Sequence, residues 1–361
     1  MKRTLQVAVA AILIGAGPAA AEGVVNVYNW SDYIDDSVLA DFTEETGIKV
    51  QYDVFDSNEL LEAKLLAGGS GYDVVVPTAY FLSRQIQAGV FSELDKAELS
   101  NFGNLWDTIL KQTDKYDADA AHAIPYMWGT TGIGYVEEKI LERMPDAPVD
   151  SWDLVFDPEV VSKFADCGVQ ILDAPSDILP AALQYIGKDP NSTDADDIKA
   201  AAEVITNIRP YVQKFHSSEY INGLAGGDIC LAVGWSGDVL QARDRADEAD
   251  NGVTVKYVIP KEGAQMWFDM MAIPADAPNK ANAHTFLNFI MRPDVIAKIT
   301  DYVSYANANE ASFDLIDEGV RTDPAVYPSA EVIDNLYTTI ALPPRAQRVA
   351  TREWTRVKSG Q

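Results

Sequence analysis

From Val24 onward, short apolar runs alternate with amphipathic stretches, and turn residues separate them. Val24 to Tyr28 reads as a strand, and Asp35 to Thr46 as a helix with Val38, Leu39 and Phe42 on one side and Gly47 as its stop. Ile48, Val50, Tyr52 and Val54 alternate as a second strand. Ser57 can cap a helix through Leu66 that ends at Gly68-Gly69. Val74-Val75-Val76 is apolar throughout, as a central parallel strand should be, and Pro77 terminates it. This β-α-β-α-β order predicts a parallel sheet with right-handed crossovers.

A second α/β stretch follows. Gly168 to Leu172 and Asp228 to Val233 read as strands, Asp196 to Ile208 as a helix ended by Pro210, and Gln241 to Ala249 as an acidic helix. Val253 to Ile259 and Phe268 to Ile273 resume strand character, ahead of helices over about Ala281 to Met291 and Pro293 to Tyr302. Without a repeat or a low-complexity linker, the pattern predicts two interleaved α/β lobes. The first takes residues 22–130 with about 250–300, the second 131–249 with about 301–361.

Residues 1–21 fall outside this pattern. Lys2 and Arg3 precede an apolar stretch from Leu5 to Gly17 too short to span a bilayer, and Ala19-Ala20-Ala21 offers a small-residue cleavage site. Export with removal of this segment is the expectation, and a buried N-terminal helix the alternative. The net charge of −27 becomes −29 without Lys2 and Arg3, with 26 basic residues against 55 acidic. Such a surface excludes nucleic acid as a partner, because phosphate binding needs clustered Lys and Arg. It either draws in cations or simply maintains solubility. Cys167 and Cys230 are the only cysteines. In an oxidising compartment one disulfide between them is the economical reading, and two buried free thiols the alternative.

In open parallel sheets ligands bind beyond the carboxyl ends of the strands. Several polar-aromatic clusters fall at such ends: Trp30-Ser31-Asp32-Tyr33, Pro77-Thr78-Ala79-Tyr80, Asp173 to Asp177, and Gly234-Trp235-Ser236-Gly237-Asp238. Met266-Trp267-Phe268-Asp269 begins a further apolar strand with an acid inside it. Carboxylates, hydroxyls and large aromatics recur and basic residues are scarce, which suits an organic cation. Asp238 and Asp269 lie in apolar or aromatic sequence where an unpaired charge is costly. A helix cap or an internal salt bridge is the competing role for each, and Asp32 is as well placed to cap a helix as to touch ligand. Trp30, Trp235 and Trp267 are either core residues or the walls of a box for methylenes, and Tyr305 either closes that box or packs at a helix end.

Catalytic motifs are weak. Gly234-Trp235-Ser236-Gly237 lacks the second glycine of a nucleophile elbow, since Asp238 stands there. His122, His216 and His284 show no metal-binding spacing, and Gly129-Thr130-Thr131-Gly132-Ile133-Gly134 is no phosphate loop. No cofactor, metal or catalytic residue is expected. A carboxylate-dependent hydrolase is the alternative that spacing along a chain leaves open.

The clusters resemble the periplasmic polyamine-binding proteins of ABC importers, most closely the putrescine-binding branch. The resemblance runs over essentially the whole chain after residue 21. It includes Asn29 to Tyr33, Tyr52 to Glu59, Pro125-Tyr126-Met127-Trp128, Phe215-His216-Ser217-Ser218, Gly227 to Cys230, Gly234 to Asp238, Trp267-Phe268-Asp269 and Tyr305 to Asn309. It implies a type II binding-protein fold of two lobes, each a mostly parallel sheet flanked by helices. The ligand would lie in the cleft between them. It further implies a soluble periplasmic monomer that hands its ligand to an inner-membrane permease. By the same resemblance Asp238 and Asp269 bind one ammonium end and Asp177, where Glu is usual, serves the other. Ser31 and Thr78 supply hydroxyls, Trp30, Tyr33, Trp235, Trp267 and Tyr305 form the aromatic box, and Cys167 pairs with Cys230. Tyr80 stands where close putrescine binders carry Ser and spermidine-preferring relatives an aromatic.

Overall fold

The computed structural model describes residues 23–360. The segment 1–21 read as an export signal lies outside the described residues. Ten strands are ordered β2-β1-β3-β9-β4-β7-β5-β6, with β8 and β10 also paired to β4. They are β1 (Val24–Trp30), β2 (Lys49–Phe55), β3 (Val74–Val75), β4 (Ala123–Val136), β5 (Val169–Ile171), β6 (Lys214–Phe215), β7 (Leu231–Trp235), β8 (Val255–Val258), β9 (Gln265–Ala272) and β10 (Ala306–Asn307).

The expected β-α-β-α-β start is present, and β1 pairs in parallel with both β2 and β3. The helix Asp36–Thr46 is capped by the Asp35 carboxylate, which accepts from Ser37 N, and stops at Gly47 in the left-handed region. Ser57 caps the helix Asn58–Leu66 by accepting from Leu60 N. Since β2 pairs only with β1, it is an edge strand, and its Val54 is half exposed despite the apolar alternation. In the second half β5 pairs in parallel with β6 and β7.

The sheet is mixed where the halves meet. Strand β4 runs antiparallel to β7, β8, β9 and β10, and β3 is antiparallel to β9. All fourteen residues of β4 are buried, so it shows no alternation. Its glycine-rich Gly129–Gly134 segment is the middle of this strand. A Cβ on Gly129 would lie 2.8 Å from Ser236 Oγ and 2.9 Å from the Trp267 ring, so glycine here lets two walls approach.

Two hydrophobic cores divide the chain. The first gathers residues from Val25 to Trp128 with Met266 to Val303, and the second those from Ile133 to Val239 with Val255. Strand β4 contributes Ile124, Tyr126, Met127 and Trp128 to the first, and Ile133, Tyr135 and Val136 to the second. One expectation needs correcting. Within 301–361, Val303, Tyr305, Ala306, Ala308 and Val326 join the first core, because β10 pairs with the Met127-Trp128 part of β4. The last helix, Pro344–Ser359, brings Ala346, Ala350, Trp354 and Val357 to the second core, and Leu342 just before it packs there too.

Cys167 and Cys230 form a disulfide with Cα atoms 5.5 Å apart, tying the approach to β5 to that of its neighbour β7. It closes a loop with a sequence separation of 63, for which chain entropy gives a stabilisation of about 4 kcal/mol as an upper figure. Reduction should lower the Tm by about 5 °C or more in a thermal melt with and without dithiothreitol. An unchanged Tm would show that the bridge constrains nothing the fold does not already hold.

Candidate functional site

A cavity lies between the two cores, about 460 Å³ counted out to its open mouth. Each wall is set by local structure. Trp30 ends β1, its indole N–H donates to Val76 O (2.9 Å), and Ser31 N is tied to Phe55 O (3.1 Å). Thr78 opens the helix Ala79–Gln87 but does not cap it; its hydroxyl donates to Asp269 Oδ1 (2.7 Å). Asp269 sits in the middle of β9, on the same face as Trp267, and Tyr33 donates to its Oδ2 (2.9 Å).

From the other core, β7 runs directly into the helix Ser236–Ala249, which begins earlier than the acidic pattern predicts. Asp238 therefore lies in the first helical turn and caps nothing. Its carboxylate accepts from Tyr220 Oη and Tyr305 Oη, each at 2.7 Å. A Cβ on Gly237 would lie 2.4 Å from the Tyr305 ring, so only glycine admits that ring against the helix. Asp177, in the first turn of the helix Pro175–Tyr185, accepts from Thr131 Oγ1 (2.9 Å), Trp235 Nε1 (3.1 Å) and Ser176 Oγ (3.4 Å).

Asp177, Asp238 and Asp269 are thus buried, and every hydrogen bond they accept comes from a neutral hydroxyl or indole. Hydrogen bonds to a charged group are worth about 1.5–3 kcal/mol each, against a desolvation cost of several kcal/mol per ion. Desolvation wins. Burial raises Asp269 to about 7 and Asp238 to about 6, against the pull of their hydroxyl donors, and raises Asp177 as well. The charges of Asp177 and Asp238 push Asp269 further up. Around the acids stand Trp30 and Trp235, edge to face at 5.4 Å, and Tyr305, which packs against Tyr33 at 5.2 Å and Trp267 at 5.4 Å. Such a space accepts a slender molecule with apolar flanks and positive ends.

Eleven of the twelve residues singled out in the sequence line this cavity: Trp30, Ser31, Tyr33, Thr78, Tyr80, Asp177, Trp235, Asp238, Trp267, Asp269 and Tyr305. Asp32 does not. It adopts φ 54°, which turns its carboxylate to the rim, where Arg245 Nη2 binds it at 2.7 Å. Asp35, not Asp32, caps the next helix. Sequence reasoning missed Asp56, Asn58 and Ser217. Asn58 donates to Thr78 Oγ1 (2.9 Å) and accepts from Thr78 N (3.0 Å), which leaves the threonine proton for Asp269. The Ser217 hydroxyl is buried without a hydrogen-bond partner among the described residues. The Tyr52-to-Glu59 and Phe215-to-Ser218 motifs contained all three and were the available signal.

Comparison with known proteins accords with this geometry. The family of bacterial extracellular solute-binding proteins matches residues 37–328. This chain belongs to that family. It is 54% identical over 361 residues to the putrescine-binding periplasmic protein SpuD of Pseudomonas aeruginosa, covering 100% of this chain and 98% of that one. It is 53% identical over 358 residues to the putrescine-binding periplasmic protein PotF of Escherichia coli, covering 98% and 97%. Among solved structures, a putative spermidine/putrescine ABC transporter from Listeria monocytogenes superposes with a TM-score of 0.84 at 31% identity, over 94% of this chain and all of that one. The fold is that of type II periplasmic binding proteins. Members of this family bind solutes outside the cytoplasmic membrane for transport and are not enzymes, which removes the hydrolase alternative.

The raised acids fix a sign for stability against pH. Between about pH 4 and pH 7 Asp269 holds its proton when folded and has lost it when unfolded. The folded state then binds more protons, so this group makes stability fall as pH rises through that window. Asp269→Asn removes the effect, so its Tm relative to the unsubstituted protein should climb from pH 4.5 to pH 7.5. A difference that does not change with pH would mean that Asp269 titrates like a solvated acid.

Proposed function

We propose that the protein is the soluble substrate-binding component of a polyamine ABC importer, capturing putrescine and delivering it to an inner-membrane permease. The observation that carries this reading is the trio of buried carboxylates held only by neutral donors and walled by indoles and phenols. A linear diammonium ion supplies what they lack. One ammonium sits against Asp238 and Asp269, the four methylenes lie between the aromatic faces, and the other ammonium turns to Asp177, with Trp30, Ser31, Tyr33, Thr78, Tyr80, Trp235, Trp267 and Tyr305 completing the site. The second core supplies Asp177, Trp235 and Asp238, whereas Thr78, Tyr33, Asp269 and Tyr305 belong with the first, so the ligand's charge draws the lobes together.

The lobes in this reading are 22–130 with about 250–300, extended by the 303–326 region, and 131–249 with the C-terminal helix. They pivot where β4 and the segment between β8 and β9 pass from one core to the other. Cross-cleft contacts then mark the closed form: Tyr80 Oη to Ser176 Oγ (3.0 Å), Asp238 N to Tyr305 Oη (3.1 Å) and Arg245 to Asp32 (2.7 Å). Residues 1–21 direct export and are removed, and the protein works as a monomer in the periplasm. A second reading, a preference for spermidine or agmatine on the same scaffold, draws on the short Asp177 and the bulky Tyr80.

Calorimetric titration of refolded, ligand-stripped protein should show binding of putrescine with a micromolar or tighter Kd. Asp269→Asn should weaken it by more than about 2 kcal/mol, because the buried ammonium loses its charged partner. No heat with putrescine, spermidine, cadaverine or agmatine from folded protein would refute the polyamine reading.

A further inference from the structure

A second space of about 600 Å³, counted to its mouth, adjoins the cavity between the lobes. Tyr80 lines both, and the hydrogen bond from Tyr80 Oη to Ser176 Oγ (3.0 Å) forms the partition beside Asp177. The walls are apolar, with Leu179, Pro180, Leu183, Ile198 and Leu342 prominent. One carboxylate, Glu59, lines it. The single cation of the lining, Arg84, is already committed. Its guanidinium holds both Glu62 oxygens, at 2.5 and 2.6 Å, and lies 3.9 Å from the Phe81 ring centroid.

We infer that this chamber is a second amine subsite, which receives the aminoalkyl tail of a linear tri- or tetraamine whose first two charges occupy the main cavity. The inference rests on the polyamine reading above and extends it. Adjacency to the main cavity supports it, since Tyr80 lines both spaces and a hydrogen bond to Ser176 holds its phenol in the partition. Chemistry supports it as well: apolar walls suit methylenes, and a lone acid suits a terminal ammonium. The acids follow one another along this path. Asp238 and Asp177 each act on Asp269, and Asp177 acts on Glu59, which burial and that neighbour raise to about 7 against the opposing charge of Arg84. A diamine spans only the first part of the path, whereas a longer amine reaches Glu59.

The test is calorimetric titration of the stripped protein and its Glu59→Gln variant with putrescine and with spermidine. Glu59→Gln should weaken spermidine by at least about tenfold while putrescine stays within about twofold, as loss of a charged partner at one end only requires. Leu179→Trp, which fills the chamber, should abolish spermidine binding and spare putrescine. Equal losses for both amines in Glu59→Gln, or spermidine affinity unaltered in either variant, would overturn the subsite. Unsubstituted protein that binds putrescine but no spermidine would overturn it too, leaving the diamine reading intact. Protein that binds neither amine would overturn both.

Discussion

Three buried ionisable carboxyls line one cavity, and no basic side chain among the described residues lines it with them. A buried carboxylate without a counter-ion is among the most expensive things a fold can contain. The rest of the site manages that cost without removing it. Hydroxyls of Tyr33, Thr78, Tyr220 and Tyr305 fix the acids in position, and Asn58 orients one of those hydroxyls. Because these donors are neutral, none of them brings a positive charge to the acids. Replacing one of them by Lys or Arg would satisfy the acid and close the site to its cargo.

The fold makes this possible by bringing the acids from different places. Asp269 is carried by β9 in the first core, and Asp177 and Asp238 by helices of the second. Strand β4 joins both cores, pairing with β9 at one end and with β7 and β8 at the other. Close approach at Gly129 and Gly237 lets Trp267 line the cavity and Tyr305 reach Asp238. Under the proposed function, mutual repulsion of the carboxylates would favour an open cleft, and a bound dication would reverse that preference. Charge pairing and lobe closure would then be one event, the coupling that a carrier needs between capture and delivery.

The early strands and helices were legible because each is amphipathic or uniformly apolar over a few residues and ends at a cap, Gly or Pro. Strand β4 was not. All its positions are buried, and its glycines imitate a loop, although they serve contact between walls. Asp238, Asp269 and the three indoles could be read from their setting at strand ends, whereas the roles of Ser31, Tyr33, Thr78, Tyr80 and Asp177 came through the family resemblance. Asp32 shows the limit: its neighbours Ser31 and Tyr33 line the cavity, yet a left-handed turn directs it to Arg245 at the rim. Asn58 shows the converse, since beside the capping Ser57 it resembles ordinary helix-start chemistry, and only its pairing with Thr78 reveals its place in the site. The residues assigned from 301 onward to the second lobe were divided by a two-residue strand, β10, too short to leave a periodic signal.

The central claim is that the ligand supplies the missing positive charge to acids that burial has pushed upward. It is tested most directly by proton release on binding. Putrescine titrated into stripped protein at about pH 6, in buffers of differing ionisation enthalpy, should displace protons from Asp269 and Asp238, which burial raises to about 7 and about 6. The release should fade as the pH is raised to about 8, where the acids are already ionised. Binding at pH 6 with no proton released, or with protons taken up, would contradict the account.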